Sequence, residues 1–259
     1  MEKYLKVFNL AMIHSLKNYK ALIGLSIFLV TCLLIFAHIW KIAAAKTGAI
    51  NLPPNQLLWY IALNEWVLVS LPDLQDDMEQ DLRSGRLAYL LPRPISYLGS
   101  VFCEGLGILC ANLLVLGVVT FSFTWLCIGG LPLDVSALAM IIAISFLAGC
   151  VGVIFQMLIG LSAFWLQQVS PFHWIWEKLL FTLGGLMLPL AVYPLWLQKI
   201  AYLTPFPAIL GQRSALVIDC HPHHVLHVTG SLLCWGFVGT LGLILLYRRG
   251  LRIVNIGGG

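Results

Sequence analysis

The chain alternates long apolar blocks with short polar links, and most blocks are of membrane-crossing length. Residues 21–39, 97–128, 135–166 and 225–246 are nearly uninterrupted apolar runs. A helix needs about 20 residues, at 1.5 Å of rise each, to cross a hydrocarbon core of about 30 Å. Two further blocks are less regular. Residues 57–71 contain Glu65 and end in the cluster Asp73, Asp76, Asp77, Glu79 and Asp81. Residues 174–196 carry Gly184, Gly185, Pro189 and Pro194. A straight helix through those positions would lose backbone hydrogen bonds, which at membrane depth is tolerated only where protein or a cavity surrounds the break. The pattern therefore predicts a span that ends near Gly184 or Gly185, followed by one or two short re-entrant or interfacial helices. The expected fold is all-α and polytopic, with six transmembrane helices.

The turns between blocks follow the usual helix breakers. Gly129-Gly130-Leu131-Pro132 separates the third and fourth spans, and Pro171 suits the start of the fifth helix. Ahead of the first span, residues 2–19 place Leu5, Phe8, Met12, Leu16 and Tyr19 on one helical face and Lys3, Lys6, Asn9 and Lys17 on the other. That arrangement predicts an amphipathic helix in the cytoplasmic interface, its lysines near anionic headgroups; a frayed tail is the plainer alternative. No small-residue cleavage site follows the first apolar run at a signal-peptide distance, so this span is expected to stay.

Composition supports a membrane protein, with 60% hydrophobic and 10% charged residues against about 25% charged in soluble domains. Links this short leave no room for a separate soluble domain, so residues 1–259 are expected to form one membrane domain. Within it, 1–20 is the interfacial helix, 73–96 a cytosolic loop and 184–224 an outer re-entrant region. The net charge of +4 is informative through its distribution and calls for no nucleic-acid partner. Six spans with the N-terminus inside put Lys3, Lys6, Lys17, Lys20, Arg83, Arg86, Arg93, Lys178, Arg248, Arg249 and Arg252 on the cytoplasmic side. Lys41, Lys46, Lys199 and Arg213 then lie outside. This satisfies the positive-inside rule, and the inverted topology does not. Tryptophans agree: Trp40, Trp59, Trp125 and Trp196 fall at outer ends, and Trp165, Trp174 and Trp176 at inner ends.

Candidate chemistry is sparse. There is no G-x-x-x-x-G-K-[ST] loop, no H-E-x-x-H and no G-x-S-x-G, so a catalytic site is not expected and nucleotide hydrolysis would need a partner. The seven cysteines are scattered without a C-x-x-C pair and suggest neither disulfides nor zinc. His221, His223, His224 and His227 raise a metal site, but Pro222 interrupts a helix there and an exposed polar loop is the expected account. Three polar residues inside spans stand out because ionisable groups there are costly. Glu65 either lines a translocation path or binds a cationic substrate group, or else pairs with another span or reaches water. Glu104 lies nearer the inner boundary, with a path or coupling role as the alternative to a boundary residue. Gln156 suits a helix–helix hydrogen bond, with a place on the path as the other reading.

Between the second and third spans stands Asp81-Leu82-Arg83-Ser84-Gly85-Arg86-Leu87-Ala88-Tyr89-Leu90-Leu91-Pro92-Arg93-Pro94. Its charges and exposed apolar side chains suit a docking surface, or a solvated connection that does no more than join two spans. The run resembles the cytosolic D-[IL]-R-x-G-x-L-x-x-L-L-x-x-P loop of six-span permease subunits of ABC transporters of the ABC-2 type, with a departure at Ala88. The segment Gly184-Gly185-Leu186-Met187-Leu188-Pro189-Leu190, continuing through Tyr193-Pro194-Leu195-Trp196 to Leu203-Thr204-Pro205-Phe206, is similar to that family's broken region after span five. The resemblance implies a permease pair, identical or homologous, in the bacterial inner membrane, bound to two copies of a separate ABC ATPase that holds ATP and magnesium. Asp81, Arg83, Ser84, Gly85 and Arg86 would then form or orient the ATPase contact. The transporter is expected to export a hydrophobic or amphipathic substrate. The rival from another class is an ion-coupled secondary transporter or channel using Glu65, for which broken helices are equally suited.

Overall fold

The computed structural model describes residues 2–47, 53–92, 94–130, 134–166 and 168–257. Arg93, Pro132 and Gln167, on which part of the expected loop and turns rest, lie outside them. The described residues are all-α, with twelve helices. In chain order these are α1 (Glu2–Lys17), α2 (Tyr19–Thr47), α3 (Pro54–Ser70), α4 (Leu74–Arg83), α5 (Arg86–Leu90) and α6 (Tyr97–Ile128). Then follow α7 (Val135–Leu161), α8 (Ser170–Leu183), α9 (Leu195–Tyr202), α10 (Phe206–Ile209), α11 (Gly211–Ala215) and α12 (Pro222–Gly257). Four stretches are long and apolar enough to cross a membrane: Tyr19–Ile39, Tyr97–Ile128, Val135–Phe164 and Pro222–Arg252. Their outward faces stay apolar, with Ile23, Ile27, Leu114, Val118, Phe237 and Leu241 all exposed. A surface of this kind belongs against lipid or another protein.

The axis of the fold is α6, whose ends fall at the expected residues. Ser96 caps it by accepting from the Gly99 amide, and Gly129 ends it in the left-handed conformation at φ 81°. Helix α3 runs antiparallel along it. Trp59 Nε1 donates to Gly130 O at 3.1 Å, Trp66 Nε1 to Leu113 O at 2.9 Å, and Asn112 Nδ2 to Ser70 O at 3.2 Å. Trp59 is thus a core residue tied to a helix end, where the sequence placed it in an outer aromatic belt. Helix α4 continues the same path, Leu74 packing on Gly105 and the Tyr97 hydroxyl lying 3.4 Å from Asp81 Oδ2.

Helix α1 is amphipathic as expected but seats a different face. It runs parallel to the first half of α6, with the Tyr4 hydroxyl accepting from Ser96 N at 3.0 Å and Ser15 Oγ donating to Asn112 Oδ1 at 3.2 Å. Between these, the backbone of Phe8 comes so near Gly107 that a Cβ there would sit 2.4 Å from the Phe8 carbonyl oxygen. Only glycine permits that approach. The packed stripe is Tyr4, Phe8, Ala11 and Ser15, while Leu5, Leu10, Ile13 and Leu16 remain exposed. Gly107 and Ala11 let the two backbones close together, and the leucines stay on the outward face.

The break after α8 falls where Gly184 and Gly185 predicted it; the loop after the glycines and α11 dock on α3, while α10 packs on α7 and α8, and α9 on α8 and α10. Tyr60 Oη donates to the Gly185 carbonyl, and Asn64 Nδ2 donates to Leu186 O at 3.2 Å. Ser214 Oγ donates to Asn64 Oδ1 at 2.6 Å. Arg213, which the sequence assigned to an exposed outer stretch, is 0% exposed. Its Nη1 donates to Ser145 Oγ at 2.8 Å, its Nη2 to Leu63 O at 2.8 Å and its Nε to Ile209 O at 3.3 Å. Pro222 likewise departs from expectation: it occupies the first position of α12 and so begins a helix, where its missing N–H costs nothing.

Candidate functional site: an acidic cleft and the inner loop

Two of the three buried-polar candidates meet in one cleft of about 720 Å³, and the third does not. Helix α2 forms one wall through Leu22, Leu25, Phe28, Cys32 and Phe36, a stripe at three- and four-residue spacing, with Asn18 in the link just before it. Helix α8 forms the other through His173, Trp176, Glu177, Leu180 and Phe181. Glu65 and Leu68 of α3 and Gln156 of α7 lie in its interior, and Asp73, Asp76 and Asp77 stand at its inner mouth. Glu104 is exposed on α6 outside this lining, with Asp77, Asp81, Arg86 and His14 as its charged surroundings.

Several polar atoms of the cleft lack partners among the described residues. Glu65 is 3% exposed and Gln156 likewise 3%. No described side chain bonds or pairs with the Glu65 carboxyl. Gln156 Oε1, Trp176 Nε1 and His173 Nδ1 are buried without hydrogen bonds. The interhelical bond expected of Gln156 is therefore not made by its carbonyl oxygen. Trp176 itself is held rigidly, stacked on Phe155 at 5.0 Å and tilted against Phe206 at 4.9 Å. Buried orphan acceptors and donors cost free energy and are kept where a ligand or water completes them. Composition alone flagged Glu65 and Gln156; Trp176 was read as a belt residue, and only its packing and orphan N–H identify it as part of the site.

Carboxylates crowd the mouth. Burial pushes the Asp77 carboxyl above its ordinary range, and Asp81, Asp76 and Asp73 push it further in the same direction while Arg86 opposes them. A raised native pKa means that the charged form is disfavoured in the fold, so the cost is present above that pKa and vanishes as the pH falls below the ordinary carboxylate value. Asp77→Asn is expected to raise the apparent Tm at about pH 7.5 and to leave it unchanged at about pH 2.5, below the ordinary aspartate pKa, where both side chains are neutral. A thermal-shift series across that range checks it, and an equal gain at both ends would remove charge repulsion as the cause.

The link between α4 and α5 is a tight helical corner. Helix α4 ends at Ser84, Gly85 turns the chain at φ 71°, and α5 begins at once. A left-handed residue other than glycine costs about 1–2 kcal/mol, which accounts for Gly85. Two ion pairs brace the corner: Arg83 Nη1 to Glu79 Oε1 at 2.9 Å and Arg86 Nη1 to Asp81 Oδ1 at 3.2 Å. Glu79 also accepts from the Val169 amide at 2.9 Å, fixing α4 to the start of α8. The tip remains free, with Tyr89 79% exposed and the Arg83 and Arg86 side chains 57% and 70%. At the other end of the molecule, His223, His224 and His227 lie in the first turns of α12, and His224 Nδ1 is 3.3 Å from Asp219 Oδ2. Among the described residues no group of three His, Cys, Asp or Glu side chains is placed to hold a metal.

Among curated proteins no match to the chain is found. The profile of one protein family, described as ABC-2 family transporter protein, matches residues 57–254. That stretch takes in α3 through most of α12, and so includes the loop, the broken region, Glu65 and Gln156. The chain belongs to the ABC-2 family of transporter membrane components, whose members typically lack ATPase activity of their own and associate with an ABC ATPase.

Proposed function

We propose that this chain is the permease half of an ATP-driven exporter, coupled to a separate ATPase through the corner Asp81–Arg86. The observation that carries this reading is the inner corner. It is exposed at its tip and braced by two ion pairs, and only the extended joint Leu71-Pro72-Asp73 separates α4 from α3, the helix that bears Glu65. A push on the corner passes to α3 through that short joint, whose Leu71 packs on Gly152 as Leu74 packs on Gly105. Asp81, Ser84 and Gly85 shape the corner, and Arg83 and Arg86 present charge to the partner. Family membership favours this over an ion-coupled transporter acting alone.

Six spans suit the packing. Helix α3 has 17 residues, at the lower limit for a span, and its bonds run from Ser70 beside Asn112 to Trp59 beside Gly130, alongside the second half of α6. Helix α8 starts at Val169, bonded to Glu79, and ends at the glycines bonded to Tyr60, so its 14 residues pass from the inner end toward the outer one. In this reading both termini are cytoplasmic, the chain sits in a bacterial inner membrane as one domain, two permeases pair with two ATPases, and ATP and magnesium belong to the ATPase. Purification from native membranes tests it. A stoichiometric nucleotide-hydrolysing subunit is the expected companion, and transport by the isolated chain under an ion gradient would replace this reading with the ion-coupled one.

A further inference from the structure

The cleft carries a charge pattern that selects among cargoes. Building on the permease reading, we infer that it binds an amphiphile bearing an N–H cation, such as a primary ammonium, with that group on Glu65 and Gln156 and the apolar body between α2 and α8.

Three observations converge on this class. First, Glu65 and Gln156 Oε1 offer two buried acceptors with no described donor, in a cleft whose described lining includes no lysine or arginine. A ligand N–H cation satisfies both, and recovers the cost of taking a carboxylate out of water. Second, carboxylates gather at the mouth: Asp73, Asp76 and Asp77 on one side and Glu177, 3.4 Å from His173 Nε2, on the other. An anionic cargo would meet these and Glu65 together, whereas a cation is drawn along the same path. Third, the walls are apolar and aromatic, with Phe28, Phe36, Phe181 and Trp176 facing the space. Aromatic faces favour cations and apolar bodies alike, and about 720 Å³ is the size of a small-molecule site. The free Trp176 N–H adds a donor, so the cargo is expected to carry an acceptor oxygen beyond its cationic head.

The test uses the full chain alone in phosphatidylcholine nanodiscs, with monodansylcadaverine as probe. This compound joins a primary amine and a sulfonyl acceptor to an aromatic body, and its N-acetyl derivative is uncharged. Saturable binding of the amine is expected from dansyl fluorescence, with the acetylated probe at least tenfold weaker. Glu65→Gln, which keeps the side-chain volume, is expected to weaken amine binding roughly tenfold and to leave the acetylated probe unaffected. Equal binding of the two probes would overturn the inference and mark the cleft as a groove for neutral lipid-like chains, as would full amine affinity in the folded Glu65→Gln variant. Should that variant not fold, the comparison of the two probes on the unaltered chain decides by itself. The ATPase is absent from this assay, so loss of charge selectivity removes the cation assignment and leaves the permease reading standing. In the complex with the ATPase, amine binding without any change in hydrolysis would do the reverse.

Discussion

Arg213→Ala is expected to lower the apparent Tm of the purified chain by roughly 6–12 °C, a loss of about 3 kcal/mol for a protein of this size. The guanidinium joins three separate elements: α7 through Ser145, α3 through Leu63 and α10 through Ile209. Hydrogen bonds from a charged group contribute about 1.5–3 kcal/mol each, and alanine also leaves a cavity where one of the largest buried side chains stood. Against these losses stands the cost of burying the charge, since no described carboxylate pairs with it. That cost offsets much of the loss, which is why the expected deficit is about 3 kcal/mol rather than the sum of three bonds and a cavity. Arg213→Met separates the two effects. It fills the space without charge, so it is expected to recover most of the thermal stability while lowering hydrogen-exchange protection where the broken region docks on α3, at Gly211 above all, whose amide bonds to Gly184 O at 2.9 Å. A Tm for Arg213→Ala within a degree of the unaltered chain would show that the latch does not hold the broken region.

The elements that sequence could place are those set by local rules. The far end of α6 followed from Gly129 and the end of α8 from Gly184, because helix breaking is decided within a few residues. The misplaced residues were decided by distant partners. Arg213 looks like a loop charge until Ser145 and Leu63, 68 and 150 residues away in sequence, are brought to it. The seating of α1 depends on Gly107, which no periodicity within residues 2–17 can reveal. Pro222 misled in the opposite direction, since a proline that breaks a helix from inside also starts one. Of the site, Glu65 and Gln156 were visible as polar residues out of place in apolar runs, but their common cleft was not. It needs α2, α3, α7 and α8 assembled, and Glu104, equally conspicuous in sequence, falls outside it.

Helix α3 connects these features in one piece. Its outer half, Tyr60 to Asn64, holds the broken region; Glu65 follows in the cleft; and Ser70 lies against Asn112 just before α4 leads to the inner corner. Under the proposed coupling, a displacement at the corner is expected to reach the cleft and the Arg213 cluster together through these bonds.

Reversing the charge of that corner is accordingly expected to have the largest effect on function. In Arg83→Glu/Arg86→Glu, two exposed ion pairs are lost, and such pairs contribute at most about 1 kcal/mol each. Membrane insertion and folding should therefore survive, with an apparent Tm lowered by only a few degrees. At a partner surface the same change is far more costly. A partner surface that receives two cations then meets two anions, and a like-charge juxtaposition across an interface costs several kcal/mol, or roughly a hundredfold or more in affinity. The variant should emerge from purification without its ATPase, and hydrolysis in the reconstituted mixture should no longer respond to the permease. Lys199→Glu on α9, away from the corner, is the control for altered charge, and it should retain the companion subunit. Unchanged co-purification and coupled transport in the double variant would exclude the corner as the point of contact.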